Sequence, residues 1–265
     1  MDNLAQEVEL KGIAKKNNWL SEIDQQKITG IIETLKPLKD DVHNSTFVVN
    51  FKTLVNKILR LKFKNIIRSF YFHKLSKKLD LENIASEILK SKVKLTRIDH
   101  FWSPKSEESV IQWHVDNAYS GRKNIKFFNK PDNNAIKFFF YLTDVTSDNG
   151  CLSYIPFSHK IAYALKDGIH KKKIQYQPYW TLSDFRDTIL KEENYNYIKS
   201  MVDEKILIEF LEKSKLILEK KIHDHIFDQD VKKGGALVFD EAGVHRGSRT
   251  KFNDRMVLRF FYQKI

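Results

Sequence analysis

The sequence predicts a mainly β fold with helical additions, and the pattern of apolar residues along the chain is the reason. The first ninety residues carry apolar residues at close to helical spacing. From about Val93 the pattern changes to alternating segments and to runs rich in β-branched and aromatic residues, which are typical of strands. A charged segment over 161–227, with helical stretches such as Glu204–Lys221, interrupts the β region. We therefore expect a β core with helices added before it and within it.

The chain of 265 residues is long enough for one substantial core. We expect a single domain over 1–265, in which the charged segment is an insertion or lid of the kind that carries substrate selectivity. The expected parts are a helical N-terminal part (1–92), a β-barrel core (93–160 and 228–265) and the insertion (161–227).

Three helices are predicted in the N-terminal part. Apolar residues recur at close to helical spacing from Ile23 to Leu35, and Ser21 is the candidate N-cap of this helix. The segment from Phe51 to Leu61 has similar spacing. A shorter helix is predicted from Leu81 to Leu89, with Asp80 as its N-cap.

Six strands are predicted in the β core from their alternation and β-prone composition. A turn-rich connection over 144–150 separates two of them. The predicted strands cover Val93–His100, Val110–Asp116, Ile136–Leu142, Cys151–Pro156, Gly235–Asp240 and Arg255–Tyr262.

The formal net charge is +12, which by itself is compatible with nucleic acid or an anionic membrane as a partner. Most lysines are interleaved with glutamate and aspartate, so a solvated lysine-rich surface is the simpler interpretation. A small anionic substrate or an acidic partner remains the alternative. The sequence has no basic stripe interleaved with stacking aromatic residues, and we therefore do not expect nucleic acid as a partner.

The sequence also bears on the compartment. No apolar run approaches the roughly 20 residues that span a membrane. The N-terminal segment Met1–Glu9 is acidic and lacks the apolar stretch of a secretion signal. The single cysteine, Cys151, cannot form an internal disulfide. We expect a cytoplasmic protein in which Cys151 packs as a small buried hydrophobe.

His114 and Asp116 are the most informative residues of the sequence. In a strand, side chains at i and i+2 point to the same face, so both could reach one metal ion. His245, far downstream, would join them from another strand. Two imidazoles and one carboxylate can hold a redox-active iron and leave half of its coordination sphere open. Taken alone, however, a His-x-Asp triplet is more often a surface or hydrogen-bonded pair.

Further motifs surround these residues in a fixed order. They are Gln112-Trp-His-Val-Asp116, Tyr141-Leu-Thr-Asp-Val145, Asn149-Gly-Cys-Leu-Ser-Tyr-Ile-Pro-Phe-Ser-His-Lys160, and Gly234-Gly-Ala-Leu-Val-Phe-Asp240 followed by His245-Arg-Gly247. This order resembles the phytanoyl-CoA dioxygenase-like (PhyH) family of iron- and 2-oxoglutarate-dependent oxygenases. The resemblance covers about residues 93–160 and 230–262.

The resemblance implies a double-stranded β-helix, a cupin-like jelly-roll barrel with iron inside one end. Carried over residue by residue, it makes His114, Asp116 and His245 the Fe(II) ligands, with 2-oxoglutarate and O2 as cosubstrates. Three protein ligands leave two positions for a chelating 2-oxo acid and one for O2. Related halogenases have a small residue in place of the carboxylate so that halide can bind. The carboxylate of Asp116 therefore favours hydroxylation.

The far carboxylate of 2-oxoglutarate needs a cationic partner, and a guanidinium group offers a planar, bidentate match. The resemblance favours Arg255, which opens the last strand ten residues after His245. Arg249 in the preceding loop and Arg259 on the same strand face are the alternatives.

Three polar residues are further candidates for cofactor binding. Ser248 lies near the position of a hydroxyl that helps to hold the same carboxylate, one residue off the expected spacing. Lys137 could enter the barrel and meet a carboxylate, or it could be solvated. Gln112 shares the strand face of the first histidine and is a candidate contact to cosubstrate or substrate. Trp113 and Val115 take the other face, as packing residues.

Two other histidine motifs are interpreted as unrelated to the metal. His223-Asp-His225 lies beside the insertion and is predicted to be at the surface. His159 follows the strand that ends at Pro156 and is predicted to be structural.

The leading functional hypothesis is hydroxylation of an unactivated C–H bond of a small molecule, with release of succinate and CO2. The lysines of the insertion and Arg122 suggest that this molecule carries an anionic group. Two alternatives remain open: a catalytically inactive jelly-roll binding or scaffold protein, and a nucleic-acid-directed demethylase of the same fold.

Overall fold

Two antiparallel sheets form the centre of the fold in a computed structural model, which describes residues 4–33, 70–107, 111–116, 134–147, 149–222 and 224–265. The strands in these ranges are β1 (Ile13–Lys16), β2 (Val93–Ser103), β3 (Ile111–His114), β4 (Ala135–Tyr141), β5 (Leu152–Tyr154), β6 (Asp228–Gln229), β7 (Ala236–Asp240), β8 (His245–Gly247) and β9 (Arg255–Lys264). The larger sheet has the order β1-β7-β4-β9-β2 and the smaller one β3-β8-β5-β6. Over the described ranges the two sheets stay separate rather than closing into one continuous barrel. The mainly β fold with helical additions is confirmed.

Helices precede the sheets and fill the insertion, as predicted. None of the helices in the described ranges is both long enough and apolar enough to cross a membrane. The predicted helix over Phe51–Leu61 lies outside the described residues, as do Leu35 and Arg122. The helices are α1 (Leu4–Lys11), α2 (Glu22–Glu33), α3 (residues 70–78), α4 (Leu81–Leu89), α5 (Ser158–His170), α6 (Leu182–Ile189), α7 (Glu192–Lys199) and α8 (Glu204–Leu218).

Of the two predicted N-cap residues, one caps its helix and the other does not. Ser21 accepts a hydrogen bond from the backbone N–H of Asp24 at 3.2 Å, so its role as N-cap of α2 is confirmed. Asp80 precedes α4 as predicted, but it adopts a left-handed conformation with φ 56° and its side chain caps no backbone N–H. Instead, Asp80 accepts a hydrogen bond from the side chain of Asn83 at 2.6 Å.

The N-terminal part also contributes a strand that the sequence did not predict. β1 pairs antiparallel with β7, with Ile13 opposite Phe239 and Lys16 opposite Ala236. Four residues are too few to show an alternating pattern, and the strand gains its hydrogen bonds from a partner far along the chain. The N-terminal part, expected to be mostly helical, therefore also supplies the edge strand of the larger sheet.

Both faces of the larger sheet are buried, which explains the almost continuous apolar run of β4. Alternate residues of a strand point to opposite faces. One face packs against the N-terminal helices and the other faces the smaller sheet. The first core includes Phe138, Phe140, Leu258 and Phe260 with Ile28 and Leu81. The second includes Tyr141, Leu237, Phe239 and Val257 with Leu152 and Tyr154 of the smaller sheet.

The insertion packs against the end of the smaller sheet that carries the His-x-Asp triplet. The backbone N–H of Val115 donates to the carbonyl of Trp180 at 2.8 Å, and Thr181 forms an isolated β-bridge with His114. Val115 and Val244 are buried in the same apolar cluster as the insertion helices. The insertion therefore lies directly against the segments that present the predicted metal ligands.

Close packing around Tyr154 holds the smaller sheet against the chain segments beside it. This residue is fully buried, and its hydroxyl donates to the carbonyl of Asp240 at 3.1 Å. Gly12 and Gly243 both approach the hydroxyl so closely that a Cβ atom at either position would collide with it. Glycine at these two positions is what makes room for the tyrosine ring.

We predict that Gly243→Ala lowers the free energy of unfolding by about 1–3 kcal/mol, because the fully buried Tyr154 cannot move away without disturbing the core. Gly30→Ala is the matched control. A Cβ at Gly30, inside α2, would meet no atom within 4 Å, so alanine should leave stability unchanged or raise it by up to about 1 kcal/mol. Denaturant unfolding of both variants checks the prediction, and equal effects would contradict it.

Candidate metal centre

β3 and β8 bring the two predicted histidine ligands together. The strands pair antiparallel, and His114 is the register partner of His245. Directly opposed residues of an antiparallel pair have Cβ atoms about 4.5–5.5 Å apart, and here the two imidazole centroids are 4.4 Å apart. Asp116 follows just beyond the end of β3. The pairing of two short strands thus assembles three residues that are far apart in sequence.

The ligand atoms of His114, Asp116 and His245 face one another. The Nε2 atom of His114 is 3.5 Å from Oδ1 of Asp116, and the Nε2 atom of His245 is 3.3 Å from Oδ2. All three ligand atoms lie within 4.8 Å of one another. Two atoms that each lie about 2 Å from one ion are at most about 4 Å apart, and both histidine–aspartate distances are within that limit. The three residues could therefore hold a metal ion.

Backbone hydrogen bonds fix the tautomer of both imidazoles. Nδ1 of His114 contacts the carbonyl of Gln112 at 2.7 Å, and Nδ1 of His245 contacts the carbonyl of Gly243 at 2.8 Å. A carbonyl oxygen can only accept, so Nδ1 carries the proton in each ring. Each Nε2 atom then presents a lone pair toward Asp116. Outer hydrogen bonds of this kind orient metal-binding histidines.

Burial and charge set the protonation of His245 and Asp116. Burial lowers the pKa of His245 and so favours its neutral, ligating form. Burial alone would raise the pKa of Asp116, but the positive charge of Lys137 outweighs it. The pKa of Asp116 is therefore held well below its usual value. One carboxylate and a neutral imidazole are the forms that a divalent metal requires.

Lys137 takes the first of its two predicted positions. Its side chain enters the space between the sheets, where it is only 10% exposed. Nζ contacts the carboxylate of Asp116 and lies 3.5 Å from Oε2 of Glu241. Lys137 thus meets carboxylates of the protein itself. Its predicted contact to 2-oxoglutarate stays a prediction.

The three candidate arginines are in different electrostatic environments. Arg259 donates from Nε and Nη2 to the carboxylate of Asp99 at 2.5 and 2.9 Å, so it is already paired, and Asp99 also pairs with Arg97. Arg249 lies 3.8 Å from Glu107 and is about one-third exposed. Arg255 is half-buried, and its guanidinium donates to two neutral acceptors at 3.0 Å: the carbonyl of Gly150 and the hydroxyl of Ser103.

Arg255 retains unused capacity to bind an anion. Among the described residues its Nε has no hydrogen-bond partner, and no carboxylate contacts its guanidinium. Burial lowers the pKa of Arg255, but a guanidinium remains charged at neutral pH. Of the three arginines, Arg255 has the environment expected of a site for a buried carboxylate.

Ser248 and Gln112 are not brought into contact with these groups. The buried hydroxyl of Ser248 donates to the carbonyl of Cys151 at 3.1 Å and lies 3.3 Å from its Sγ. The side chain of Gln112 is exposed and lines an outer cleft with Trp113 and Arg246. Gln112 contributes its backbone carbonyl to His114 instead. The proposed cofactor contacts of both side chains stay predictions.

Two of the histidines interpreted as unrelated to the metal, His225 and His159, lie away from the triad. Nδ1 of His225 donates to Asp228 at 2.8 Å, and the side chain of His225 is 37% exposed. His223 lies outside the described residues. His159 is buried, and its Nε2 contacts the carbonyl of Glu9 at 3.2 Å. Cys151 is buried, as predicted.

A buried charged layer beside the metal ligands was not predicted. Glu241 is buried close to Lys137, Tyr163 hydrogen-bonds the carboxylate of Asp240, and the ammonium group of Lys166 is fully buried. The position of Glu241, directly after a strand and four residues before His245, is a signal that the sequence offers. Tyr163 and Lys166 lie on α5, at the start of the insertion.

Comparison with solved structures supports the fold. Among solved structures, EvdO2 from Micromonospora carbonacea var. aurantiaca superposes with a TM-score of 0.54 at 14% identity, covering 100% of this chain and 91% of that chain. The carbocyclase SnoK from nogalamycin biosynthesis gives 0.52 at 13% identity, with 100% and 84% covered. The epimerase SnoN from the same biosynthesis gives 0.51 at 11% identity, with 99% and 82% covered.

At such identities the solved structures support the fold alone, and a search of curated proteins found no match. The family model of phytanoyl-CoA dioxygenase (PhyH), however, matches residues 39–256, which is most of the chain. It spans the His-x-Asp strand, the insertion and the downstream histidine. The family that the motifs indicated is thereby confirmed, and the chain belongs to the phytanoyl-CoA dioxygenase (PhyH) family.

Proposed function

We propose that this protein is an Fe(II)- and 2-oxoglutarate-dependent dioxygenase that hydroxylates an unactivated C–H bond of a small molecule. The overall reaction converts substrate, 2-oxoglutarate and O2 into hydroxylated product, succinate and CO2. The observation that carries the proposal is the preformed set of two Nε2 atoms and one carboxylate between the sheets. Membership of the PhyH family supports the same class of enzyme.

The donor set fits iron. His114, Asp116 and His245 would hold the ion on one side and leave positions for a chelating 2-oxo acid and for O2. When bound, iron with these cosubstrates supplies the oxidising power that removes hydrogen from an unactivated C–H bond. The carbonyls of Gln112 and Gly243 accept hydrogen bonds from the two Nδ1 atoms and so direct each Nε2 atom toward the ion. EvdO2 has been crystallised with 2-oxoglutarate, and SnoN with Fe3+ and alpha ketoglutarate.

Arg255 is the proposed partner of the far carboxylate of 2-oxoglutarate. Its charge is compensated by no carboxylate among the described residues, and its Nε is unused. Arg259 is already paired with Asp99. In this proposal Lys137 holds the carboxylate of Asp116 in place, and any contact from Gln112, Lys137 or Ser248 to the cosubstrate is secondary.

Hydroxylation is the part of the proposal that most needs a test. SnoN is named an epimerase and SnoK a carbocyclase, so a change of configuration or a net loss of hydrogen, without gain of hydroxyl, is the competing outcome on this fold. The carboxylate of Asp116 disfavours halogenation, because it occupies the position that a halide would take. A scaffold without turnover and a nucleic-acid demethylase are the remaining alternatives.

We predict that His114→Ala and His245→Ala each weaken Fe(II) binding by about 10-fold or more, because loss even of an outer hydrogen-bond partner costs metal affinity of that order. Calorimetry under anaerobic conditions measures the binding. Both variants should also abolish Fe(II)-dependent release of succinate from 2-oxoglutarate. His225→Ala, which removes a histidine outside the triad, is the control and should behave like the wild type. If the wild type bound metal but released no succinate, the result would support the scaffold alternative instead.

We predict that Arg255→Met weakens binding of 2-oxoglutarate by about 10- to 100-fold, which corresponds to one lost charge-assisted hydrogen-bonded pair. Fe(II) affinity measured without the cosubstrate should be unchanged. Arg249→Ala is the matched control, since that arginine lies in the adjoining loop. A larger effect from Arg249→Ala than from Arg255→Met would reassign the cosubstrate site.

We predict that a small molecule that accelerates succinate release is recovered with one oxygen atom added. The second atom of O2 should appear in succinate. Mass spectrometry after reaction under labelled O2 checks both products. A product that has lost hydrogen or changed configuration without labelled oxygen would indicate epimerase- or cyclase-type chemistry. Retention on nucleic acid that persists at high salt would favour the demethylase.

A further inference from the structure

Lys166 is a buried cation that no described group neutralises by direct contact. It lies on α5 at the start of the insertion, and its relative exposure is 0%. Among the described residues its Nζ atom has no hydrogen-bond partner. Burying an ammonium group without a partner is costly, so such groups are paired or shift toward the neutral form. An unpaired buried lysine therefore calls for a functional explanation.

Lys166 lies on α5 one turn after Tyr163, which hydrogen-bonds the carboxylate of Asp240. The residue after Asp240, Glu241, lies 3.5 Å from Lys137 beside the metal ligands. Burial disfavours the charged form of Lys166 and lowers its pKa. The carboxylates of Glu241, Asp240 and Asp116 act in the opposite direction. Asp116 is one of the three proposed metal ligands. Nζ also lies 5.9 Å from the centroid of the Tyr163 ring, a weak contact that leaves its donor capacity unused.

The neighbouring charged groups are already engaged with one another. Lys137 contacts the carboxylate of Asp116 and lies 3.5 Å from Glu241. The carboxylate of Asp240 accepts a hydrogen bond from Tyr163 and another from the backbone N–H of Ala242 at 2.9 Å. Lys166 is the cation in this layer whose donors have no described acceptor. Its hydrogen bonds are therefore available to a molecule that enters the site.

We propose that Lys166 is a substrate-binding residue that takes an anionic oxygen of the substrate, from a carboxylate or a phosphate group, at the insertion side of the metal centre. This inference rests on the proposed function and names a substrate class for it. A cation on the insertion would hold an acidic substrate over the metal, while Arg255 on β9 takes the cosubstrate. 2-Oxoglutarate also carries carboxylates that Lys166 could bind. The experiment distinguishes it from the substrate, because the protein is saturated with 2-oxoglutarate before the anionic probes are added.

The test uses the full chain loaded anaerobically with Fe(II) and saturated with 2-oxoglutarate. Acetate and inorganic phosphate, as probes of the two anionic groups, are titrated into the wild type, Lys166→Met and Lys160→Met, and binding is measured by calorimetry. Lys160 lies on the same helix and is partly exposed, which makes it the matched control. We expect the wild type and Lys160→Met to bind at least one probe, and Lys166→Met to bind it about 10-fold or more weakly.

A second readout does not depend on any ligand. Methionine removes the unpaired buried charge and keeps much of the side-chain volume. We therefore expect the melting temperature of the ligand-free Lys166→Met protein to rise by about 2 °C or more. Lys160→Met should leave it nearly unchanged. A fall in the melting temperature of Lys166→Met would show that the ammonium group is a structural element and would overturn the proposal.

Further results would also overturn it. These are equal probe binding by the wild type and Lys166→Met, and no binding of either probe to the loaded wild type. Weaker binding of 2-oxoglutarate itself in Lys166→Met would assign the lysine to the cosubstrate and reject the substrate role. If the wild type bound neither Fe(II) nor 2-oxoglutarate, the proposed function would have failed first. The two failures are therefore distinguishable.

Discussion

The antiparallel pairing of β3 with β8 is the interaction on which the rest of the site depends. It places His114 directly opposite His245, although the two residues are far apart in sequence. Both strands are short, so the pair is held by what surrounds it. β5 pairs along the other side of β8, with Tyr154 opposite His245, and the insertion bridges to His114 through Thr181. A shift of one residue in this register would turn one imidazole away from the metal position.

The two sheets contribute different groups to the metal centre. The smaller sheet presents the three ligand side chains, whereas the larger sheet supplies the positive charge, from Lys137 on β4 and Arg255 on β9. Directly paired residues lie on the same face of a sheet, and Lys137 is opposite Phe261 on β9. Lys137 and Arg255 therefore both face the smaller sheet, since Phe261 and Arg255 lie an even number of residues apart. The electrostatics of the site depend on how the sheets pack together, and not on either sheet alone.

Long, strongly patterned elements could be predicted from the sequence, and elements that depend on distant partners could not. The strands β2, β4 and β9 and the helix α4 appeared where the pattern put them. β1, β6 and β8 have two to four residues each, too few for a pattern, and are held by pairing. Pairing also discriminates among the charged site residues. Arg259 is the register partner of Asp99 on β2, and that contact alone removes it as a free cation. No local feature of the sequence distinguishes Arg259 from Arg255.

The insertion and the metal ligands are mechanically coupled. Val115 lies between His114 and Asp116, and Val244 immediately precedes His245. Because side chains alternate along a strand, the ligands point between the sheets while these two valines point the other way, into the apolar cluster of the insertion helices. Close-packed clusters do not deform continuously. A change in how the insertion packs, on binding a substrate or through mutation, must therefore move the backbone that carries all three ligands. The element that would select the substrate also sets the geometry of the metal centre.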